Sequence, residues 1–592
     1  MNNDEIVSEI YTIDKFFRDK YKYEIPDFQR SYTWELKEIN DFLTSINNVC
    51  QNKSKLFLGT IYFYQEDNSR FITDGQQRII TWCLIVNALR ILKIENSNYM
   101  IIDKICKVEV YEASTVFSKL YSISNINEID ALEEELPEYN LTISQIMSNQ
   151  KTIYDFLKDA KGLKEKFDYA KDNIEMIFLN LPTHYNEFQI FRDINARGKA
   201  LTNNDVIKSI FFSLILNEKK IPHEKQSKYI CWKNIETNLL DQSKSIGNDL
   251  SSIKSTLESN LTLSLNIFMS FRMKKYIPAT GFKVSDAYEK MLSQKEAESI
   301  LREFQKFTDT AKYVLYPYRL IPSNGILKTC HDYVQSLNSL GIKQPLPLFL
   351  AIYYQMIARN KFQQVKERNI LKKAFEKMYI FHFFFSTISS DRPSKIGNIY
   401  KKTALEVNEN QLNFENMFQV LNANFPSIME LKTKVQRILF YVKKNALKSV
   451  EDEEMDFREY KIYTNNTEIK QFLILVEYIL RKRKLDNSEF SGIYFESVEH
   501  IYNADYNYGK LENFKLMSFL PLESNLNEEC NKLGENPPLM KKINVYRKSK
   551  YFSVIEFVRI YDGLKNKTDN EMREKWEDYI LETIVQEFNE LK

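Results

Sequence analysis

Residues 70–92 read RFITDGQQRIITWCLIVNALRIL, and the pattern changes character inside them. Phe71, Ile72 and Thr73 are a short extended run. Asp74-Gly75-Gln76-Gln77-Arg78 follows, and then a long apolar stretch broken only by Thr81, Asn87 and Arg90. This order predicts a strand, a tight turn and a buried helix. Asp74 is placed to be the N-cap and Gln77 the third residue of a capping box, with Gly75 supplying a torsion that other residues resist. Capping leaves Arg78 unexplained, because a cation in the first turn meets the positive end of the helix dipole. That costs roughly a few tenths of a kcal/mol unless an anion is present. Free N–H groups, a glycine, two amides and an arginine together describe an anion site, most simply one for phosphate. The two readings are compatible, and both stay open on the residues alone.

Working outward, residues 4–19 carry the pattern of an amphipathic helix, and Pro26 forces Ile25 out of helical torsions, so that Phe28 to Tyr32 sit on an extended or turned segment. Tyr32 and Trp34 either close a core or stack on a base. Arg30 is either a second phosphate ligand facing Arg78 or a partner for Asp27. A helix is expected near 36–50 and a strand at 57–64, with Gly59 marking a bulge or a close backbone contact and the strand at 70–73 pairing beside it. From 104 to 182 the pattern is mostly helical. Asn195 to Lys199 form a loop in which Gly198 separates Arg197 from Lys199, either a solvated connector or, as favoured beside the DGQQR turn, a second wall of the same anion pocket. Thr202 and Asp205 cap the next helix.

A helical bundle is expected from about 225 to 455, including the runs 296–315, 346–358 and 369–385, with His331 and His382 as packed core histidines. Basic clusters at 432–448 and at Arg481-Lys482-Arg483-Lys484 are solvated faces or places to hold a DNA backbone.

The chain has 592 residues, 43% hydrophobic and 27% charged, which implies roughly two to four globular domains and excludes wholesale disorder. Eighty-two basic against eighty acidic residues leave +2, so any nucleic-acid binding must come from local patches. Six scattered cysteines without C-x-x-C spacing argue against a disulfide framework or structural zinc. The start lacks a signal-peptide pattern and no apolar run reaches a membrane span, so the expectation is a cytoplasmic protein without a membrane partner.

The DGQQR run resembles the hallmark of the DUF262 family, the N-terminal half of GmrSD-type modification-dependent restriction enzymes and of SspE-like phage-defence proteins. Residues 25–34 (IPDFQRSYTW) and 191–201 (FRDINARGKAL) match the same family in the same order. The resemblance implies an α+β, multidomain chain: a ParB/sulfiredoxin-like α/β domain over 1–225, a helical middle over 226–455 and a nuclease domain over 456–592. The first domain would bind and hydrolyse a nucleoside triphosphate, GTP, ATP or UTP, and sense modified phage DNA. Asp74 would orient water or Mg²⁺, Gln76 and Gln77 would hold phosphate or water, and Arg78 would neutralise charge. Arg30, Gly75, Asn195, Arg197, Gly198 and Lys199 would complete the nucleotide site.

Farther on, Ser497-Val498-Glu499-His500-Ile501-Tyr502, Leu511-Glu512-Asn513-Phe514 and the stretch 519–525 look like DUF1524, the HNH (ββα-metal) nuclease half that accompanies DUF262. Such a nuclease needs a histidine base and a few ligands for one divalent cation, Mg²⁺ or Mn²⁺. The resemblance assigns His500 as base, Glu499 and Asn525 as metal ligands, and Asn513 as the brace of the loop carrying the base. Lys541, Lys542, Arg547 and Lys550 would contact DNA. Adjacent residues on a regular strand face opposite sides, so Glu499 and His500 share a site only if the backbone bends there. The chain also has Glu512 where the family has glycine. The rival expectation is a nucleotide-switched DNA-binding regulator with an inactive HNH remnant. Either form is compatible with a homo-oligomer.

Overall fold

The computed structural model describes residues 6–25, 32–94, 107–108, 119–135, 141–182, 202–216, 222–240, 250–277, 284–316, 325–358, 365–388, 393–409, 414–435, 441–442, 462–463, 466–484, 493, 495–502, 516–534, 537–566 and 568–591. The architecture is mixed α/β, mostly helical, with one small mixed sheet. The chain divides into two units, residues 1–269 with 277–309, and residues 270–276 with 310–592.

The first unit is built on strands β1 (Val7–Thr12), β2 (Lys22–Ile25), β3 (Leu56–Glu66), β4 (Ser69–Asp74), β5 (Lys107–Val108) and β6 (Ile174–Asn180), in the order β1-β6-β3-β4-β2-β5. Neighbours β6 and β3, β4 and β2, and β2 and β5 are parallel, while β1 with β6 and β3 with β4 are antiparallel. Two expectations are corrected here. Residues 4–19 are not one helix: Val7 to Thr12 pair with Asn180 to Glu175, and Thr12 Oγ1 accepts the Lys15 N–H at 3.2 Å to start a separate helix α1 (Ile13–Arg18). The second is β6, a strand inside the stretch expected to be mostly helical. Ile174, Met176 and Phe178 point into the core, but Ile177 and Leu179 on the other face are apolar too, which hides the two-residue period.

The core under the sheet is aromatic, with Tyr11 and Phe178 ring centroids 4.4 Å apart and Phe16 and Tyr23 4.8 Å apart. Arg70 is buried among these rings. Its guanidinium donates to Tyr11 Oη at 2.9 Å, Tyr23 Oη at 3.2 Å and Asp19 Oδ2 at 3.3 Å, so the buried charge is compensated rather than isolated.

Helix α2 (Leu36–Asn52) has the expected place, and helix α3 (Gln76–Ile91) is buried along its whole length except at Arg78 and Arg90. Its polar interruptions each have a partner. Thr81 Oγ1 donates to Gln77 O at 2.8 Å and meets Tyr32 Oη at 2.7 Å. Asn87 Nδ2 reaches Gln150 Oε1 at 3.0 Å, and Arg90 donates to the Ile123 carbonyl at 2.7 Å. The polar groups on this buried helix are thus satisfied by both side chains and backbone carbonyls. Farther on, Thr202 and Asp205 cap the helix Asn203–Leu216 reciprocally, Asp205 N–H on Thr202 Oγ1 at 3.2 Å and Thr202 N–H on Asp205 Oδ2 at 3.0 Å.

In the second unit, helices Gly325–Ser339, Leu346–Ala358, Val365–Ile388 and Pro393–Glu409 surround an aromatic core, and β7 (Tyr441–Val442) and β8 (Ile462–Tyr463) form a short antiparallel pair. Both expected core histidines are buried. His331 Nε2 lies 3.0 Å from Tyr353 Oη, and burial pushes His382 down to about 3, so its ring stays neutral.

Helix α4 (Asn466–Lys484) carries the basic run, and each of its four cations has a partner within the fold, Arg481 and Lys482 half-buried and Arg483 and Lys484 at the surface. Arg481 Nε bonds Glu477 Oε1 at 2.9 Å and Lys482 Nζ bonds Glu587 Oε1 at 2.6 Å. Arg483 Nη2 bonds the Thr583 carbonyl at 2.9 Å, and Lys484 Nζ lies 3.1 Å from Glu556 Oε1. Glu477, with 0% exposure, also accepts the Phe552 and Ser553 N–H groups at 2.9 and 2.8 Å and the Ser553 hydroxyl at 2.7 Å. It is thereby the anion at the N-terminus of the helix Phe552–Gly563.

Two measurements test this account. Gly59 has φ +90°, and a Cβ there would stand 2.6 Å from Arg78 Nη1, so Gly59→Ala should lower unfolding stability by about 1–3 kcal/mol in denaturant titration. Burial alone would raise the Glu556 carboxyl, but hydrogen bonds from Arg559 and Lys484 hold it below its ordinary 4.5. Its contribution is present above that pH and lost as pH falls through the folded value. The Tm gap between wild type and Glu556→Gln should therefore be open at pH 7 and close in acid.

Candidate functional site

The Asp74-Gly75 turn joins β4 to α3. Gly75, not Asp74, is the N-cap, at φ +99°, and as a glycine it has no capping side chain. The positions expected for a capping box are shifted by one: Asp74 is the last residue of the strand and Gln77 the second of the helix. A Cβ at position 75 would lie 2.3 Å from Ile61 Cδ1, so glycine is required by space as well as by torsion.

Gln76 and Gln77 are buried. Gln77 Oε1 accepts the Thr33 N–H at 2.9 Å, which ties the segment after the Gln29-Arg30 pair to the first turn of α3. The next link is Trp34 O, which accepts Asn149 Nδ2 at 2.7 Å. Asn149 Oδ1 accepts Gln145 Nε2 at 3.1 Å, and Gln145 Oε1 accepts Lys254 Nζ at 2.6 Å. Of the two aromatic residues in that segment, Tyr32 is inside the core, and Trp34 is half-buried with its ring 5.1 Å from that of Phe42.

Arg78 is where the phosphate reading needs correcting. Its Nη1 donates to the Leu58 carbonyl, its Nη2 donates to Thr60 O at 2.9 Å, and Nη2 lies 3.7 Å from Asp74 Oδ2. The two carbonyls flank Gly59, where β3 bulges out of register with β6. Gly59 lacks the Cβ that would collide with the guanidinium, and a Cβ at Gly75 would crowd it at 3.3 Å. Burial pushes the Arg78 pKa down, and Asp74 partly offsets this. The cation opening α3 is therefore compensated from within the fold, by a bulge and a neighbouring acid. Arg30, Asn195, Arg197, Gly198 and Lys199 lie outside the described residues.

The second candidate site is on the antiparallel pair β9 (Ser497–His500) and β10 (Phe519–Leu522), followed directly by the helix Ser524–Asn531. His500 is opposite Phe519, and their rings stack at 4.6 Å with an 8° tilt. The strand does not bend at Glu499, so the two neighbours diverge. Glu499 is 5% exposed, and its Oε1 accepts Lys542 Nζ at 2.7 Å and Tyr546 Oη at 3.2 Å. Burial, reinforced by the Glu499 charge, pushes the Tyr546 phenol well up, so it remains a donor. Burial also raises the Cys530 thiol to about 12, which excludes a thiolate beside this pair.

The expected metal pair is therefore not assembled. Glu499 is the anionic half of a buried ion pair, and Asn525 is exposed on the first turn of its helix. Among the described residues no three His, Cys, Asp or Glu side chains converge to hold a cation. The donors among the described residues, with Glu499 paired to Lys542, do not fit a resident divalent ion. Asn513 lies outside the described residues.

The four expected DNA contacts divide. Lys541 and Lys550 are exposed, and Arg547 is at the surface but forked onto Asp562 at 2.9 and 2.6 Å. Lys542 is buried, a correction to its assignment. Sequence reading missed its role, although its four-residue spacing from Tyr546 on the helix Leu539–Tyr546 places both on one face.

An arginine gripping two carbonyls yields a direct test. Arg78 meets the two carbonyls with two separate nitrogens of one rigid plane, which a single lysine nitrogen on a shorter head group does not reproduce, so Arg78→Lys should lose about 1–3 kcal/mol of unfolding free energy. Unchanged stability together with lost nucleotide binding would instead restore Arg78 as a phosphate ligand.

No helix among the described residues is long and apolar enough to cross a membrane. Residues 13–212 match the family model of the GmrSD restriction endonuclease N-terminal domain. The resemblance to the GmrSD-type family is thus borne out over that stretch, which contains the DGQQR turn and most of the sheet. No curated protein matches the chain.

Proposed function

We propose, on the premise that residues 13–212 carry a GmrSD restriction endonuclease N-terminal domain, that this chain is a DNA endonuclease of restriction type whose cutting chemistry resides in the second unit. The observation that carries the assignment of the site is the order of elements around His500. An antiparallel strand pair leads straight into a helix, with the imidazole at the end of the first strand, half-exposed and held flat against Phe519. That order is the connectivity of a ββα nuclease. The ring stacking fixes the plane in which His500 would take a proton from the attacking water. Lys541 and Lys550, both exposed and C-terminal to this helix, are suited to a DNA backbone.

The first unit is proposed to bind and hydrolyse a nucleoside triphosphate and to sense the state of the DNA. Because Arg78 is occupied by the β3 bulge, positive charge for the phosphates falls to Arg30, Arg197 and Lys199. Asp74, Gln76 and Gln77 remain the candidates for orienting water and phosphate.

Glu499 favours the second reading, a nucleotide-switched DNA-binding protein with an inactive remnant, because its carboxylate is held by Lys542. Plasmid nicking separates the two. The full chain is incubated with modified and unmodified plasmid, with Mg²⁺ or Mn²⁺, and with GTP, ATP or UTP. Endonuclease action predicts nicking by wild type and at least about a hundredfold less by His500→Ala. Equal nicking by both proteins, or none by wild type, removes the cutting role.

A further inference from the structure

We infer that Lys542 is a positioning residue for His500, with Glu499 as its counter-ion, and not a contact to DNA. The inference rests on the proposal that His500 is the base, and it concerns what holds that base in place. Lys542 Nζ has two short contacts to consecutive residues of β9: 2.7 Å to Glu499 Oε1 and 2.6 Å to the His500 carbonyl oxygen. One ammonium thus grips the strand through a side chain on one face and through the backbone of the next residue. Its side chain is 11% exposed and that of Glu499 is 6% exposed, so solvent screening is weak and an unpaired member of the pair would be costly.

Tyr546, one turn farther along the helix Leu539–Tyr546, donates to the same carboxylate oxygen at 3.2 Å. The helix is therefore fastened to β9 at two levels. On the opposite face of the strand, Phe519 sets the tilt of the imidazole, and the Ile501 N–H on Ser518 O at 2.9 Å continues the pairing past it. His500 is consequently fixed by its ring on one side and by its carbonyl on the other. The lysine supplies the second constraint without touching the ring. A phosphate cannot compete for this ammonium without leaving Glu499 as a buried, uncompensated anion.

The test compares Lys542→Met, the double variant Lys542→Met/Glu499→Gln and Asn544→Ala, an exposed position on the same helix, in the full chain. Three quantities are read: kcat and KM for plasmid nicking across a salt series, Tm, and the NMR position of the His500 Cε1–Hε1 signal at fixed pH. That signal is identified by its loss in His500→Ala. Lys542→Met should lower kcat about 10- to 100-fold with KM and its salt slope unchanged, and should move the His500 signal. The double variant removes both buried charges, so it should recover Tm while kcat and the His500 signal stay displaced, because the carbonyl anchor is still missing. Asn544→Ala should leave kcat and the signal where they are.

Unchanged kcat with a shallower salt slope in Lys542→Met would make it a phosphate contact and overturn the inference. Full recovery of kcat in the double variant would also overturn it, since charge compensation alone would then suffice. Should wild type fail to nick at all, the endonuclease reading falls by itself. The His500 signal then decides on Lys542: a displaced signal in both lysine-deleted proteins upholds the positioning role, and an unmoved one removes it.

Discussion

The fork of Arg78 between two backbone carbonyls is the interaction on which the first unit depends. A bulge in β3 interrupts its register with β6 between Phe57 and Thr60, and the partly buried Leu58 and Thr60 carbonyls take their donors from a side chain. The guanidinium supplies them, and Asp74 at the end of β4 balances part of its charge. In one contact the bulged strand, the strand beside it and the first turn of the buried helix are locked together. Gly59 and Gly75 are the geometric condition, since each leaves the space that the guanidinium or the neighbouring strand fills.

The second unit uses the same device with other parts. Cations that stand in a row along the sequence are distributed among separate acceptors, and Glu477 gathers an arginine, two backbone N–H groups and a hydroxyl. Lys542 repeats the pattern on a smaller scale with one carboxylate and one carbonyl. Formal charge near zero is thus accompanied by pairing inside the fold. At Arg481 to Lys484 the positive charge is paired with groups of the fold, even where the side chains reach the surface.

How much of this was legible in the sequence follows from which contacts are local. The strand, turn and helix at 70–92 are encoded within about twenty residues, and so are the helices around 36–50, 296–315, 346–358 and 369–385 and the Thr202–Asp205 cap. The divergence of Glu499 and His500 also follows from strand geometry alone. The partners of Arg78 were not legible, because they lie eighteen and twenty residues upstream on a strand whose bulge only Gly59 announced. Equally hidden were the partners of Lys482 and Lys484, which lie 72 or more residues along the chain: a charge run has no local sign of whether it faces water or a distant acid. The edge strand Val7–Thr12 was obscured because its sequence also fits a helix, and only pairing with β6, some 170 residues away, decides the matter.

The clasp around Glu477 also bears on how the protein tolerates shortening. A premature stop between Lys484 and Phe552 would strip that carboxylate of three of its four donors and leave Lys482 and Lys484 beside nothing negative from the last helices. The product would expose an incompletely charged, partly unfolded helix, which is the state cellular proteases degrade. Nonsense mutations late in the reading frame should therefore behave as null alleles, rather than releasing a trimmed enzyme that cuts without control.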